Sequence, residues 1–196
     1  MRLVVAVLAA AVLVSAYLSW VARRLDRLHA RVEAARAALD AQLVRRAAAA
    51  GELAAQAREF GLWSAGTGES LAAAAAAARV AGPEDREVVE NDLSRALKVA
   101  LAGFPALPRA DPRVDLGRLL GGGTAYDDSA LSGPLAELEA AATRVVLARR
   151  FYNDGVRDTR ALRSRRIIRW LHLAGHAPPP AYFEIDDTPL PELSPD

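Results

Sequence analysis

The chain has 196 residues, 25 basic against 24 acidic, 52% hydrophobic residues and no cysteine. That length suits about one domain with an appendage, and the missing cysteines exclude a disulfide framework, thiolate zinc centres and cysteine nucleophiles. Alanine at 44 positions beside only 6% aromatics favours thin, closely packed helices over strands and a thick aromatic core.

Leu3 to Ala22 is a run of 20 residues without a formal charge, bracketed by Arg2 and by Arg23-Arg24. As a helix rising about 1.5 Å per residue it matches the roughly 30 Å hydrocarbon core of a bilayer. Tyr17 and Trp20 lie near its end, where amphipathic aromatics prefer the headgroup level. A single-pass anchor over residues 1–22 is the natural reading. A cleaved signal peptide competes, with Val14-Ser15-Ala16 as the small-residue site. Against cleavage, the apolar run continues past that site and the downstream flank holds Arg23, Arg24, Arg27 and Arg31. A buried core helix is the weakest of the three, since nothing interrupts the apolar surface. The arginine excess after the run favours an outside N-terminus and a cytoplasmic bulk by the positive-inside rule.

From Arg23 the pattern turns amphipathic. Leu25, Leu28, Val32, Ala35, Leu39 and Leu43 form one helical stripe. No Gly or Pro intervenes before Gly51, so the anchor runs straight into a second helical stretch. Gly51 and then Gly61, Gly66 and Gly68 predict a weakening and a bend. Leu71 to Val80, with seven successive alanines, predicts a helix. Gly82-Pro83-Glu84-Asp85 punctuates the chain and opens another, whose apolar face is Val89, Leu93, Ala96, Leu97, Ala100 and Leu101 and whose stop is Phe104-Pro105. Residues 105–134, rich in Pro and Gly and containing Gly121-Gly122-Gly123, predict a loop; the triple glycine lacks the spacing and lysine of a phosphate loop.

Leu131 or Pro134 opens the longest soluble helix signal, through Leu135, Leu138, Ala142, Val145, Tyr152, Val156 and Thr159 to about His172, with Arg149 on the apolar stripe. The last 20 residues contain six prolines, five acids and no base. There Ala181 to Ile185 is expected to lie along the bundle as an extended strap. The fold class is therefore all-α: an N-terminal transmembrane helix over 1–22, then an elongated antiparallel bundle of three to four long helices over 23–176, then an acidic proline-rich tail over 177–196.

Several blocks resemble one family. Leu39-Asp40-Ala41-Gln42-Leu43-Val44-Arg45-Arg46 is similar to the Asp-x-Gln-Leu-x-Arg-Arg signature of LemA family proteins. Glu90-Asn91-Asp92-Leu93 with Phe104-Pro105-Ala106-Leu107 resembles its Glu-Asn-x-Leu and Tyr-Pro-x-Leu block. Ala148-Arg149-Arg150-Phe151-Tyr152-Asn153-Asp154-Gly155-Val156 is close to its Ala-Arg-Arg-Phe-Tyr-Asn-x-x-Val, and Tyr182-Phe183-Glu184 to its terminal Tyr-Phe-Glu. Thr159-Arg160 and the arginine-rich stretch Arg163 to Arg169 stand where the family has a second Tyr-Asn and Phe-Pro. The resemblance implies a membrane-anchored antiparallel helical bundle of bacterial origin; it implies no reaction and no cofactor.

The candidate polar cluster is Asp40, Gln42, Arg45, Arg46, Arg149, Arg150, Tyr152 and Asn153. In a bundle, Asp40 or Asp154 can pair with an arginine of a facing helix. Arg149, being on the stripe, suits a partly buried arginine held by Asp40, Gln42 or Asn153, serving either architecture or binding. Arg144 to Arg169 holds nine arginines in 26 residues. Either these form a solvated face, or Arg163, Arg165, Arg166 and Arg169 meet anionic lipid. Without aromatic stacking platforms, nucleic acid is not an expected partner; membrane and an unidentified protein are. His172 and His176 have helical metal-pair spacing but no third ligand, so no metal is expected. Asp127-Asp128 and Asp186-Asp187 read as solvated doublets. No catalytic constellation emerges. The expected function is a non-enzymatic scaffold or interaction module of the bacterial envelope; the alternatives are a ligand-binding or enzymatic site around Arg45, Arg149 and Tyr152, and an anionic-lipid module.

Overall fold

The computed structural model describes residues 1–102, 128–166, 168 and 178–188. Among these residues there are four α-helices and no strand: α1 (Arg2–Glu59), α2 (Ala65–Val80), α3 (Arg86–Ala102) and α4 (Asp128–Arg163). The all-α expectation holds. The chain forms two compact units, one from Met1–Ala38 and Arg149–Phe183, the other from Leu39–Ala148 and Glu184–Asp196.

In the first unit, α1 opens with a surface unlike that of a core helix. Every residue from Met1 to Tyr17 is exposed, and only 6% of its most apolar 18-residue window is buried. By length and composition this segment is long and apolar enough to cross a membrane. Burial begins where the charges begin. Val21 and Leu25 pack with Leu162 and Ile168, and Leu28 flanks them. Further along, α1 and α4 approach closely at Gly155, where a Cβ would lie 3.2 Å from Val32 Cγ2. Beyond that, the Arg36 guanidinium covers the rings of Tyr152 (5.5 Å) and Phe183 (4.9 Å).

The second unit has a core of leucine and alanine. Ala47, Ala50, Leu53 and Ala54 of α1 meet Leu71, Ala75 and Ala78 of α2, Leu93, Leu97, Ala100 and Leu101 of α3, and Leu131, Leu135 and Leu138 of α4. The seven-alanine run therefore has two faces: Ala75 and Ala78 are buried, while Ala72, Ala73, Ala76 and Ala77 are exposed. Small buried side chains let helix backbones come close without a large aromatic filling.

Local chemistry sets the helix ends, and in three places it departs from the sequence expectation. Gly51 causes no bend; α1 passes through it and ends at Glu59. The turn comes at Gly61 (φ +64°), where Gly61 N–H donates to Arg58 C=O (3.1 Å) and Leu62 N–H to Ala57 C=O (2.9 Å). This is a Schellman cap, which needs a left-handed residue at that position. Ser64 then caps α2, its hydroxyl accepting from Thr67 N–H at 3.3 Å, so Gly66 and Gly68 lie inside a helix and not in a turn. At the other end of the chain, α4 starts at Asp128 rather than at Leu131 or Pro134, so the tail of the expected 105–134 loop is helical. Pro134 is held inside α4 at the loss of one backbone bond.

Helix α4 ends at Arg163; Arg166 and Ile168 are again helical, and the rest of the expected continuation to His172 lies outside the described residues. The Ser164 hydroxyl donates back to Ala161 C=O (2.9 Å), and Arg165 N–H bonds Leu162 C=O (3.2 Å), tightening the chain into a turn. Phe104-Pro105, residues 106–127, Arg169, Trp170, His172, His176 and residues 189–196 lie outside the described residues.

Candidate functional site

Two of the helices in the second unit carry a charge on their buried stripe. On α1 the spacing Leu39, Leu43, Arg46, Ala50, Leu53 puts Arg46 in line with leucines; on α3 the spacing Glu90, Leu93, Leu97, Leu101 does the same for Glu90. Both are sealed: Arg46 is 4% exposed and Glu90 0%. They meet directly. Arg46 Nη2 donates to Glu90 Oε2 at 2.6 Å and to the Glu90 carbonyl at 3.2 Å, and Arg46 Nη1 donates to Ser94 Oγ at 3.3 Å. Charge-assisted bonds of this length are among the stronger polar contacts a core can hold.

The pair is one link in a chain of alternating charge. Arg86 Nη1 stands 4.0 Å from Glu90 Oε1, and Arg86 Nε stands 3.9 Å from Asp40 Oδ1. Arg86 Nη1 also donates to Ala78 C=O at 2.8 Å, satisfying a carbonyl at the C-terminal end of α2. One guanidinium thus ties the end of α2 to the start of α3 and reaches α1. Burial pushes the Glu90 carboxyl above the usual carboxylate range, while Arg46 and Arg86 pull against that shift. Of the polar atoms in this charge chain, Glu90 Oε1, Arg46 Nε and Arg86 Nε are buried without a hydrogen bond. Arg46 and Glu90 are closed to solvent and can hold helices in register, while the Asp40 side chain at the end of the charge chain is 38% exposed.

A second set of polar residues holds the segment 178–188, which has no regular secondary structure. In the first unit Tyr152 Oη donates to Ala181 C=O (2.8 Å). Asn153 uses both ends of its amide on Phe183, donating to its carbonyl (3.1 Å) and accepting from its N–H (2.9 Å). Phe183 is buried. In the second unit Glu184 N–H donates to Glu87 Oε1 (3.0 Å) and Asp186 N–H to Asn91 Oδ1 (2.7 Å). Lys98 Nζ meets Asp186 Oδ2 at 2.6 Å. The Lys98 ammonium and the Thr188 hydroxyl hold the Asp186 carboxyl well below the usual carboxylate range. An extended segment lacks partners of its own for its backbone groups; here helix side chains supply them. The extended strap expected at Ala181 to Ile185 is present.

The sequence-derived candidates are therefore distributed. Asp40 and Arg46 join the buried charge chain; Gln42 is half-buried on the same helix, and Arg45 is exposed. Tyr152 and Asn153 belong to the strap contacts, whereas Arg149 is half-buried and Arg150 exposed. Asp154 pairs with Arg157 of its own helix (3.1 Å), and Asp40 with Arg86 of α3. The Asp186 side chain is an ion-pair partner and not merely solvated. Arg163 is half-buried and donates to Pro178 C=O at 3.3 Å; Arg165 and Arg166 are exposed. Sequence reasoning assigned no role to Arg86, Glu90, Ser94, Glu87, Asn91 or Lys98. For Glu90 the signal was available, since it breaks an apolar stripe just as Arg149 does. For Asn91 and Lys98 no local signal exists, because their partners are about 90 residues away.

Among the described residues no three His, Asp or Glu side chains gather as metal ligands. No protein-family model, curated protein or solved structure matches this chain.

Proposed function

We propose that the protein is a membrane-tethered helical scaffold that presents its bundle to a protein partner and performs no chemistry of its own. The observation that carries this reading is the division of labour among its polar groups. The deeply buried charges, Arg46 and Glu90, hold α1 to α3, and Tyr152, Asn153, Glu87 and Asn91 hold the strap. Polar residues spent on architecture are what a scaffold requires. The exposed apolar surface of residues 1–17 supports the tether, because an uncovered apolar helix of bilayer length is stable in lipid and not in water. The arginines after that run favour the cytoplasmic side for the bundle.

The resemblance to LemA family proteins fits the same reading. Its blocks contribute Arg46, Glu90, Asn91, Tyr152, Asn153 and Phe183, all of which sit in tertiary contacts in this chain. A motif read this way encodes a packing scheme.

Fractionation of cells expressing the full chain tests the tether. The protein is expected in the membrane pellet and to resist alkaline carbonate, while a chain lacking residues 1–22 is expected in the soluble fraction with strong helical circular dichroism. Carbonate-extractable protein would overturn the tether. Crosslinking in the native membrane followed by mass spectrometry tests the scaffold: reproducible crosslinks to one protein support it, and crosslinks to lipid alone argue against it.

A further inference from the structure

The end of the apolar run carries a feature that a tether alone does not require. In the first unit, Arg24 and Leu28 of α1 face Asp158, Ala161 and Leu162 of α4 and Arg165 of the turn after it, around an open cavity of about 240 Å³. Two arginines and one aspartate line it together with the apolar side chains of Leu28, Ala161 and Leu162. Among the described residues, none of these three charges makes an ion pair or a side-chain hydrogen bond. Arg24 instead rests on the ring face of Trp20, 5.5 Å from its centroid, and Trp20 stacks with Tyr17 at 6.3 Å. All three are exposed, and opposite charges around one cavity without pairing can receive a ligand that carries both signs.

Depth says what that is. The apolar run ends at Ala22, so Arg24 and Leu28 lie about 3 and 9 Å further along the axis at 1.5 Å per residue. The headgroup layer on each side of the hydrocarbon core is about 5–7 Å thick. The cavity therefore spans the layer of lipid phosphates, on the helix that carries Tyr17 and Trp20, aromatics of the kind that mark that level. Guanidinium groups suit phosphate oxygens, through parallel N–H donors. Asp158 is wrong for a purely anionic ligand and right for one that carries an ammonium group beside its phosphate.

We propose that this cavity binds the phosphoethanolamine headgroup of a membrane phospholipid, with its phosphate on Arg24 and Arg165 and its primary ammonium on Asp158. This rests on the membrane-tether reading. A primary ammonium can donate hydrogen bonds to Asp158, whereas the quaternary ammonium of a phosphocholine has no N–H to donate. Headgroup discrimination therefore belongs to Asp158, and phosphate affinity to the two arginines.

The test uses the full chain purified in detergent, with native mass spectrometry of retained lipid. Palmitoyl-oleoyl lipids with ethanolamine, glycerol or choline headgroups are added separately. The wild-type chain is expected to retain one ethanolamine lipid at least about tenfold better than the choline lipid. Arg24→Gln with Arg165→Gln is expected to lose that retention, while Arg150→Gln with Arg166→Gln, which removes as much charge outside the cavity, keeps it. Asp158→Asn is expected to lower ethanolamine-lipid retention to the choline-lipid level and to leave glycerol-lipid retention unreduced.

Soluble glycerophosphoethanolamine and inorganic phosphate, added as competitors, separate a lipid site from a free-phosphate site. Displacement of lipid by millimolar inorganic phosphate would overturn the headgroup assignment. So would equal retention of all three lipids, or retention that survives loss of Arg24 and Arg165. Carbonate extraction of the same variants is read in parallel. A chain that stays in the membrane but shows no headgroup preference defeats the cavity proposal and spares the tether, whereas a chain extracted by carbonate defeats the tether itself.

Discussion

Arg46 and Glu90 stand where their helices would otherwise present leucine, and their partnership explains how two charges survive there. Taking either ion out of water costs several kcal/mol, offset by a 2.6 Å charged contact, the Glu90 carbonyl and Ser94. The arrangement is unforgiving of half measures. Arg46→Met leaves the Glu90 carboxylate buried without its main partner and is expected to destabilise the fold by about 3–5 kcal/mol in urea denaturation. Arg46→Met combined with Glu90→Leu removes both charges and is expected to recover most of that loss. If the single variant matches the wild type within about 1 kcal/mol, the pair carries no stability. The residues that sequence patterning singled out around Arg45 and Arg46 were adjacent in the chain and opposite in fate, one exposed and one sealed. Helical periodicity distinguishes them once the stripe is drawn through Leu43 and Ala50.

At the scale of elements, two glycines inside helices show how packing decides between identical sequence signals. Gly51 and Gly155 both weaken a helix by roughly 1 kcal/mol relative to alanine. A Cβ at Gly51 would meet Ala75 Cβ at 3.7 Å, an ordinary contact. Gly51→Ala is accordingly expected to stabilise by about 0.5–1 kcal/mol. A Cβ at Gly155 would meet Val32 Cγ2 at 3.2 Å with Val32 Cα only 4.0 Å away. Valine in a helix has one strongly preferred rotamer and cannot swing aside cheaply. Gly155→Ala is expected to destabilise by about 1 kcal/mol despite its better helix propensity. Thermal unfolding followed by circular dichroism reads both, and a gain at Gly155 would show that α1 and α4 separate without cost. Element ends followed the same logic. Four glycines announced that the chain would turn between Gly51 and Gly68, but only the bonds from Gly61 and Leu62 to α1 located the turn. The break after Arg163 was not legible, because Ser164 and Arg165 fall within a continuing helical pattern, and Arg166 and Ile168 are helical again.

At the scale of the whole molecule, acid stability follows from two carboxylates displaced in opposite directions. Asp186 is held below its ordinary value of 3.8 by Lys98 and Thr188. Its contribution is therefore present above about pH 3.8 and is lost as the pH falls from there towards the lowered value. Glu90 is held above its ordinary value of 4.5 by burial. The folded state then binds the extra proton, so Glu90 lowers stability as the pH rises from 4.5 through its raised value. Asp186→Asn should accordingly destabilise the chain at pH 6–7, with the difference from wild type shrinking below about pH 4 and vanishing in stronger acid. A difference that persists unchanged at pH 2 would remove Lys98–Asp186 as its cause.

The sequence by itself determined the all-helical class, the bilayer-length apolar segment, the amphipathic stripes and the extended strap. Each of these depends on spacing, run length or prolines, which act between near neighbours in the chain. Only the tertiary structure decided which arginine is buried, that Glu90 is its partner, and which side chains hold the strap. Those outcomes depend on contacts between residues 29 to 97 positions apart, and no local periodicity records which charge a folded neighbour will bring within hydrogen-bonding distance.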